Sequence, residues 1–119
     1  MPRRGEVWWV RLDPSLGSEL RKTRPCLVIG TNVVNDRRRT VVVIPLSSSP
    51  QASPPLLIPV VCDGRKAVAV LDQIRAVAKE RLEGVIGMIS SEEMAAVENG
   101  LRQILELEQG ESGRVRTAL

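Results

Sequence analysis

The stretches GEVWWVRLDP (residues 5–14) and TRPCLVIG (residues 23–30) are the most informative parts of this chain for its fold. The first mixes β-branched and aromatic residues with polar ones and ends at a proline, which predicts a strand over Glu6–Asp13. The second contains the continuous apolar run of a strand that is buried on both faces, predicted over Pro25–Thr31. A polar loop joins the two strands, and it holds the carboxylate of Glu19 beside several cations.

Beyond this pair of strands, the β-signals continue in short pieces. The dipeptide Asp63-Gly64 between two valine-rich runs is typical of a tight hairpin turn. The other predicted strands are Thr40–Leu46, Leu56–Val61, Ala67–Leu71, Asp72–Ala76 and Gly84–Ile89. The predicted connections are polar loops at Asn32–Arg39 and Ser47–Pro54 and a short helical turn at Lys79–Leu82.

The C-terminal part of the chain changes from strand patterns to a helical pattern. Ser90 and Glu93 have the spacing of a capping box at a helix N-terminus. One face of this helix is expected to pack on the sheet, and its apolar residues are Met94, Val97, Leu101, Ile104 and Leu105. We therefore expect an α+β, mostly β fold, a small SH3-like antiparallel barrel with a C-terminal α-helix, as a single domain over residues 1–108. Residues 109–119 have no apolar pattern and are predicted to form a flexible tail.

The composition of the 119 residues argues against several classes of protein. The chain has no histidine, and both cysteines, Cys26 and Cys62, have apolar neighbours, so we expect buried thiols rather than a metal site. The N-terminus lacks the apolar segment of a signal peptide, and no apolar run approaches the ~18 residues of a membrane span. These features predict a cytoplasmic protein that binds neither a metal nor a membrane.

The charges are distributed unevenly along the chain. Residues 1–49 carry nine Arg or Lys against four Asp or Glu, whereas residues 90–111 carry six Glu against one Arg. A basic half on a small domain favours a polyanionic partner, because clustered cations release phosphate counterions. A role in solubility would explain the same charges, and composition does not separate the two explanations.

Few residue types are available for catalysis. Without histidine, the chain lacks the side chain whose ordinary pKa lies closest to neutrality. No glycine-rich phosphate loop of the Walker or Rossmann type follows a strand. What remains is arginine and serine beside glutamate, a set of residues that binds phosphate and stabilises developing charge.

Four short motifs occur in an order that resembles one protein family. They are GEVW with the following DP (residues 5–14), GSE (17–19), TRP (23–25) and LDQIR (71–75). The similarity covers about residues 3–107, and on these motifs the chain is identified as a member of the MazF/PemK family of toxin ribonucleases.

This resemblance implies a CcdB/PemK-like version of the SH3-like barrel and a homodimer. It implies a sequence-specific, metal-independent endoribonuclease that needs no cofactor. Such an enzyme cuts single-stranded RNA, mainly mRNA, as the toxin of a toxin–antitoxin pair. The implied protein partner is a cognate antitoxin whose flexible acidic segment wraps the toxin.

The resemblance also implies the catalytic residues. The arginine of the Arg-Pro motif is Arg24, the glutamate of the Gly-Ser-Glu motif is Glu19, and the hydroxyl residue at the end of the third strand is Ser47. Arg24 and Ser47 would donate to the phosphate while the 2′-OH attacks the adjacent phosphorus and leaves a 2′,3′-cyclic phosphate. Glu19 would either act as the base or orient Arg24, and the second role is favoured.

Two positions depart from the family pattern. Leu20 stands where many members have glutamine. Ser47 stands where the family commonly has threonine, so the hydroxyl is kept and a methyl group is lost. Because Ser48 and Ser49 follow directly, the register of the catalytic hydroxyl stays open among the three serines.

The predicted RNA contacts surround these residues or belong to the family motifs. Period-2 alternation places Gln73 and Arg75 on one face of a strand. It also groups Trp8 with the core and leaves Trp9 on the other face, as a dimer or antitoxin contact or, alternatively, as a stacking platform for a base. The predicted RNA-binding residues are Arg21, Lys22, Thr23, Ser48, Arg37, Arg38, Gln73 and Arg75.

Two other functions stay open on the sequence. A gyrase-poisoning toxin of the same architecture would inhibit a protein and would not need Arg24 as a phosphate binder. A non-catalytic SH3-like nucleic-acid-binding module would bind RNA in a salt-dependent manner without cutting it.

Overall fold

The computed structural model describes residues 1–12, 23–48 and 51–108. The strands are β1 (Glu6–Arg11), β2 (Thr23–Val28), β3 (Thr40–Ser47), β4 (Leu57–Cys62), β5 (Arg65–Val70), β6 (Arg75–Ala78) and β7 (Leu82–Met88). The helices are α1 (Asn32–Arg37) and α2 (Ser91–Leu105), and short 3₁₀ turns cover Leu71–Gln73 and Lys79–Arg81. The second turn agrees with the predicted helical turn. Within the described ranges, neither helix is long and apolar enough to span a lipid bilayer.

The strands form a seven-stranded antiparallel sheet in the order β4-β5-β3-β2-β1-β7, with β6 also paired to β3. Strand β2 runs along one side of β3, whereas the other side of β3 pairs with β6 at its start and with β5 at its end. The sheet curls so strongly that its outer strands, β4 and β7, come close to each other. A Cβ at Gly87 of β7 would lie only 3.1 Å from the Cys62 Sγ of β4. This curled half-barrel with a C-terminal helix confirms the predicted fold class.

Strands β2 and β3 are buried on both faces because each face packs on a different core. On β2, Leu27 lies in the first core and Cys26 in the second, and both are fully buried. On β3, Ile44 and Val43 divide between the two cores in the same way. Helix α2 contributes Val97 to the first core. This division explains why the β2 sequence is apolar without alternation, as predicted.

The N-terminus of α2 is fixed both within the helix and to the sheet. The Ser90 Oγ accepts a hydrogen bond from the Glu93 N–H at 3.0 Å, and the Glu93 carboxylate accepts one from the Ser90 N–H at 2.9 Å, which confirms the capping box. The other Glu93 oxygen accepts from the Val61 N–H of β4 at 2.8 Å. The predicted apolar face of the helix packs on the first core except for Leu105, which is 49% exposed.

The β4–β5 hairpin has the predicted two-residue turn. Asp63 and Gly64 have φ angles of 55° and 74°, which is typical of the type I′ turn, and glycine adopts this conformation without steric cost. Strand β5 begins at Arg65 rather than at the predicted Ala67. Arg65 and Lys66 are therefore strand residues directly after the turn.

The prediction of a loop at Asn32–Arg39 is wrong, because the segment contains α1. The Thr31 hydroxyl caps this helix by accepting from the Val34 N–H at 3.4 Å. Asn35 is fully buried, and its side chain donates to the Gly30 carbonyl at 3.1 Å. The helix is thus held by polar contacts, which leave no apolar periodicity in the sequence.

The predicted strand Asp72–Ala76 is also wrong in its bounds. Leu71 is fully buried, and its carbonyl accepts from the Ile74 N–H at 3.2 Å, which closes a 3₁₀ turn before β6 begins at Arg75. Gln73 therefore lies in the turn and Arg75 in the strand, and the two do not share a strand face.

The two tryptophans of β1 lie on opposite faces, as predicted. Trp8 packs against the second core beside Val10, and its indole N–H donates to the Glu6 carboxylate at 2.9 Å. Trp9 lies on the other face, opposite Pro25 of β2, and is 42% exposed. Trp9 is therefore the tryptophan that is available for a ligand or a partner.

Gly100 lies where α2 packs against the 3₁₀ turn that contains Leu71. A Cβ at this position would lie 2.6 Å from the Leu71 Cδ1 and 2.7 Å from the Pro55 carbonyl oxygen. We expect Gly100→Ala to lower the free energy of unfolding by about 1–3 kcal/mol through this overlap, although alanine is the better helix former by about 1 kcal/mol. Urea unfolding followed by tryptophan fluorescence measures the change.

The matched control is Gly84→Ala, because a Cβ at Gly84 meets nothing within 4 Å. This variant should stay within about 0.5 kcal/mol of the wild type. A Gly100→Ala protein as stable as the wild type would contradict the close packing of α2.

Candidate functional site

Arg24 and Ser47 lie at the same end of two neighbouring strands. Strands β2 and β3 are antiparallel, with Cys26 opposite Pro45. Arg24 and Ser47 each lie two residues beyond this pair, Arg24 near the start of β2 and Ser47 at the end of β3, and both residues line the same two grooves. The fold therefore brings the predicted guanidinium and hydroxyl together.

Two grooves meet at this pair of residues. The polar groove has a volume of about 570 Å³, and its polar lining is Thr23, Arg24, Ser47, Ser48, Arg65 and Lys66. The side groove has a volume of about 340 Å³, and its lining includes Leu12, Arg24, Ser47, Leu57 and Gln73. Because Arg24 and Ser47 line both grooves, an extended molecule that passes from one groove to the other crosses this pair.

Two cations of the polar groove, Arg65 and Lys66, are absent from the sequence-predicted contacts. They reach the groove because β5 starts directly after the hairpin turn and pairs with the end of β3, with Val68 opposite Ser47. The Asp63-Gly64 hairpin signal would have indicated both residues if the predicted strand Ala67–Leu71 had been extended back to the turn. Among the described residues that line these two grooves, none carries a carboxylate.

Several predicted RNA contacts lie beside the pair. Thr23 and Ser48 line the polar groove together with Arg24, and Gln73 lines the side groove. Outside the described residues lie Glu19, Arg21, Lys22 and Ser49.

Arg75 of β6 is opposite Val43 of β3, and Val43 in turn is opposite Val28, at the far end of β2 from Arg24. Burial raises the pKa of the Cys26 thiol from 9.0 to about 12, and the nearby Arg75 and Arg24 guanidinium groups act in the opposite direction. Both cations are therefore within electrostatic reach of one thiol, two residues from Arg24 along β2. The buried thiol stays protonated at neutral pH, so it is not a nucleophile.

The structure does not bring Arg37 and Arg38 to these grooves. Arg37 ends α1, and the Arg38 N–H donates to the Val34 carbonyl at 3.0 Å. Both arginines precede Thr40, the first residue of β3, whereas Ser47 is its last residue. An extended strand of this length spans roughly 23 Å. Arg37 and Arg38 therefore belong to the opposite end of β3 from the Arg24–Ser47 pair.

The chemistry of the site follows from its donors. Across the part of the chain that the structure describes, no three cysteine, aspartate or glutamate side chains are grouped to hold a metal ion. The grooves instead present guanidinium, ammonium and hydroxyl groups, which bind phosphate and stabilise negative charge as it develops. Fold and site together define a small half-barrel domain suited to a phosphate-rich ligand.

Residues 3–105 match the family model described as PemK-like, MazF-like toxin of type II toxin–antitoxin system, and the chain belongs to this family. Endoribonuclease MazF9 of Mycobacterium tuberculosis is 34% identical over 116 residues, which cover 90% of this chain and 98% of the relative. Endoribonuclease EndoA of Bacillus subtilis is 32% identical over 111 residues, which cover 88% of this chain and 95% of the relative. The family prediction is therefore confirmed.

Solved structures of similar proteins have the same fold. An endoribonuclease in complex with its cognate antitoxin, from a mycobacterial species, matches with a TM-score of 0.76 at 21% identity, covering 92% of this chain and 99% of that chain. MazF from Deinococcus radiodurans matches with a TM-score of 0.73 at 22% identity, covering 88% and 96%. At these identities the likeness concerns the fold, and it agrees with the curled half-barrel described above.

The buried thiol of Cys26 makes stability depend on pH in the alkaline range. Its pKa is about 12 in the folded chain against an ordinary 9.0. As the pH rises, the thiol therefore loses its proton in the unfolded chain before it does so in the folded chain. The free energy of unfolding therefore falls as the pH rises from about 9 towards about 12, by up to about 1.4 kcal/mol per pH unit for one thiol. We expect Cys26→Ala to flatten this fall, as measured by urea unfolding at a series of pH values.

Val28→Ala serves as the control, because Val28 lies in the same core and is also fully buried. This variant should be less stable at every pH and keep the wild-type slope. Cys62, whose pKa burial also raises, contributes equally to all three proteins. If Cys26→Ala and the wild type had the same slope, the raised pKa of Cys26 would be refuted.

Proposed function

We propose that this protein is a sequence-specific, metal-independent endoribonuclease that cleaves single-stranded RNA, mainly mRNA, as the toxin of a toxin–antitoxin pair. The observation that carries the proposal is that Arg24 and Ser47 both line the two grooves that meet at these residues, with Arg65 and Lys66 in the polar groove. Membership of the toxin family and the relatives named as endoribonucleases support the activity.

The proposed reaction is a transesterification within the RNA. The 2′-OH attacks the adjacent phosphorus and loses its proton to a base, the bond from phosphorus to the 5′ oxygen breaks, and that oxygen takes up a proton. The products therefore end in a 2′,3′-cyclic phosphate and a 5′-OH. In the transition state, negative charge grows on the non-bridging oxygens. Arg24 would supply a forked, permanently charged donor to these oxygens, and Ser47 would supply a hydroxyl.

Ser47 is proposed as the catalytic hydroxyl in preference to its neighbour. Ser47 is the last residue of β3, so the strand fixes its position, whereas Ser48 follows the strand. Ser47 and Ser48 both line the polar groove, but Ser47 alone of the two also lines the side groove. The hydroxyl at position 47 is thus placed where a phosphate between the grooves would lie.

Glu19 is proposed to position Arg24. The described lining of the two grooves offers no carboxylate, and Glu19 belongs to the Gly-Ser-Glu motif five residues before Arg24. A carboxylate that accepts from a guanidinium fixes its fork toward the phosphate. Glu19 would thereby act on the reaction through Arg24.

We further propose a homodimer and an antitoxin that binds through a flexible acidic segment. The cations of the polar groove, Arg24, Arg65 and Lys66, suit an acidic segment as well as RNA. Met88 of the outer strand β7 is 58% exposed, which leaves apolar surface for a second copy. The fold shared with an endoribonuclease that was solved with its cognate antitoxin supports this kind of partner.

The proposed role of Arg24 predicts a large loss of activity for Arg24→Ala. Removing one preorganised donor to the developing charge should lower the cleavage rate by a factor of about 10²–10³. The measurement uses a long RNA in EDTA, with cut sites mapped by primer extension and the 3′ ends tested for cyclic phosphate. Circular dichroism checks that the variant is folded.

Arg38→Ala is the matched control, because it removes an exposed arginine far from the grooves and should cleave at nearly the wild-type rate. Wild-type cleavage by Arg24→Ala would refute the assignment. RNA that is bound but left intact by the wild-type protein would instead indicate a non-catalytic binding module, and an effect on gyrase alone would indicate a toxin that poisons a protein.

A further inference from the structure

A third groove adjoins the polar groove and has no part in the cleavage proposed above. This apolar groove has a volume of about 330 Å³, and its apolar lining includes Trp9, Pro25, Leu46, Ala67, Val85 and Ile86. Trp9, Pro25 and Leu46 also line the polar groove, so the two are continuous. The apolar groove therefore begins directly beside the Arg24–Ser47 pair.

The floor of the apolar groove is a row of side chains across three strands. Trp9 of β1 is opposite Pro25 of β2, and the register of β2 with β3 puts Leu46 next in the row. This row is one residue along from the row that contains Arg24 and Ser47. Side chains of these two rows point to opposite faces of the strands, but Trp9, Arg24 and Ser47 all line the polar groove at the strand ends.

The indole of Trp9 has an open side. Its neighbour on β7 is Gly84, which has no side chain to cover the ring. A Cβ at Gly84 would have no heavy atom within 4 Å, which shows that the indole does not cover the glycine. With 42% of Trp9 exposed, a flat apolar group has room to stack against it.

We propose that the apolar groove binds one unpaired base of the RNA, stacked on Trp9, from a nucleotide beside the cleaved bond; this inference rests on the proposed function. Single-stranded RNA is held by cations along its backbone and aromatic side chains under its bases. Both parts are present here, because Arg24, Arg65 and Lys66 line the continuous polar groove. The occupant is thus a base whose phosphate lies among these cations.

Asp63 and Arg65 would form hydrogen bonds with the edge of this base. Both line the apolar groove, on either side of Gly64 in the tight hairpin turn. Among the described residues neither side chain is part of an ion pair. A carboxylate accepts from the N–H groups of a base and a guanidinium donates to its carbonyl or ring nitrogen, so together they distinguish one base edge from another.

The experiment begins with the wild-type protein and a long RNA, to map the cut sites. The probe is then an RNA oligonucleotide that contains a mapped site with 2′-deoxyribose at the cleaved position, so that it binds without being cut. The chain has two tryptophans and no tyrosine, and Trp8→Phe therefore leaves Trp9 as the only source of indole fluorescence. Oligonucleotides with one abasic position each are titrated in parallel.

We expect the intact oligonucleotide to quench Trp9 in the Trp8→Phe protein. One abasic position next to the cut should abolish the quenching and weaken binding about tenfold. Trp9→Ala should lower kcat/KM for cleavage about tenfold, whereas Trp9→Phe should largely retain it. Asp63→Asn should change the preferred base at that same position, and Val61→Ala, an exposed apolar residue of the same hairpin, should change nothing.

The experiment distinguishes a failure of the proposed base site from a failure of the proposed function. If the wild type cleaves RNA through Arg24 but Trp9 is not quenched and no abasic position matters, the base site is refuted while the proposed function stands. If Trp9→Ala and Trp9→Phe lose only dimerisation or antitoxin binding and cleave normally, the groove belongs to a protein partner and the base site is refuted. If the wild type cleaves no RNA, the proposed function and this inference fail together.

Discussion

The antiparallel register of β1, β2 and β3 determines both the packing of the two cores and the positions of the site residues. It sets Trp9 beside Pro25, and it aligns the start of β2, which carries Arg24, with the end of β3, which carries Ser47. A slip of one residue would exchange the faces and separate the arginine from the hydroxyl. Because β2 and β3 bury both faces in two cores, represented on β2 by Leu27 and Cys26, the packing that stabilises the fold also fixes the geometry of the site.

The elements that depend on local chemistry could be predicted from the sequence. The Asp63-Gly64 turn needs two residues that tolerate positive φ, and the cap of α2 needs a hydroxyl three residues before a glutamate. Helix α1 could not be predicted, because it is held by the burial of Asn35 and its bond to the Gly30 carbonyl. The turn at Leu71–Gln73 depends likewise on packing of Leu71 against α2. Such contacts are tertiary, and no periodic pattern records them.

Some residues of the candidate site could likewise be predicted from the sequence, and others could not. The family resemblance pointed to Arg24 and Ser47, and the fold places both residues in the lining of the same two grooves. Arg65 and Lys66 were missed because their place in the polar groove depends on how β5 pairs with the end of β3. The sequence offered Trp9 as a partner contact or a stacking platform, and only the continuity of the two grooves that it lines favours the base.

Arg24 near the start of β2 and Ser47 at the end of β3 are proposed to act together on one phosphate. A double-mutant cycle of Arg24→Ala and Ser47→Ala on the cleavage rate tests this joint action most directly, with Ser48→Ala in place of Ser47→Ala as the control cycle. Residues that act as a unit are strongly non-additive, so the double variant should be little slower than the slower single variant. Additive losses for Arg24 with Ser47, or a coupling that appears with Ser48 instead, would contradict the account.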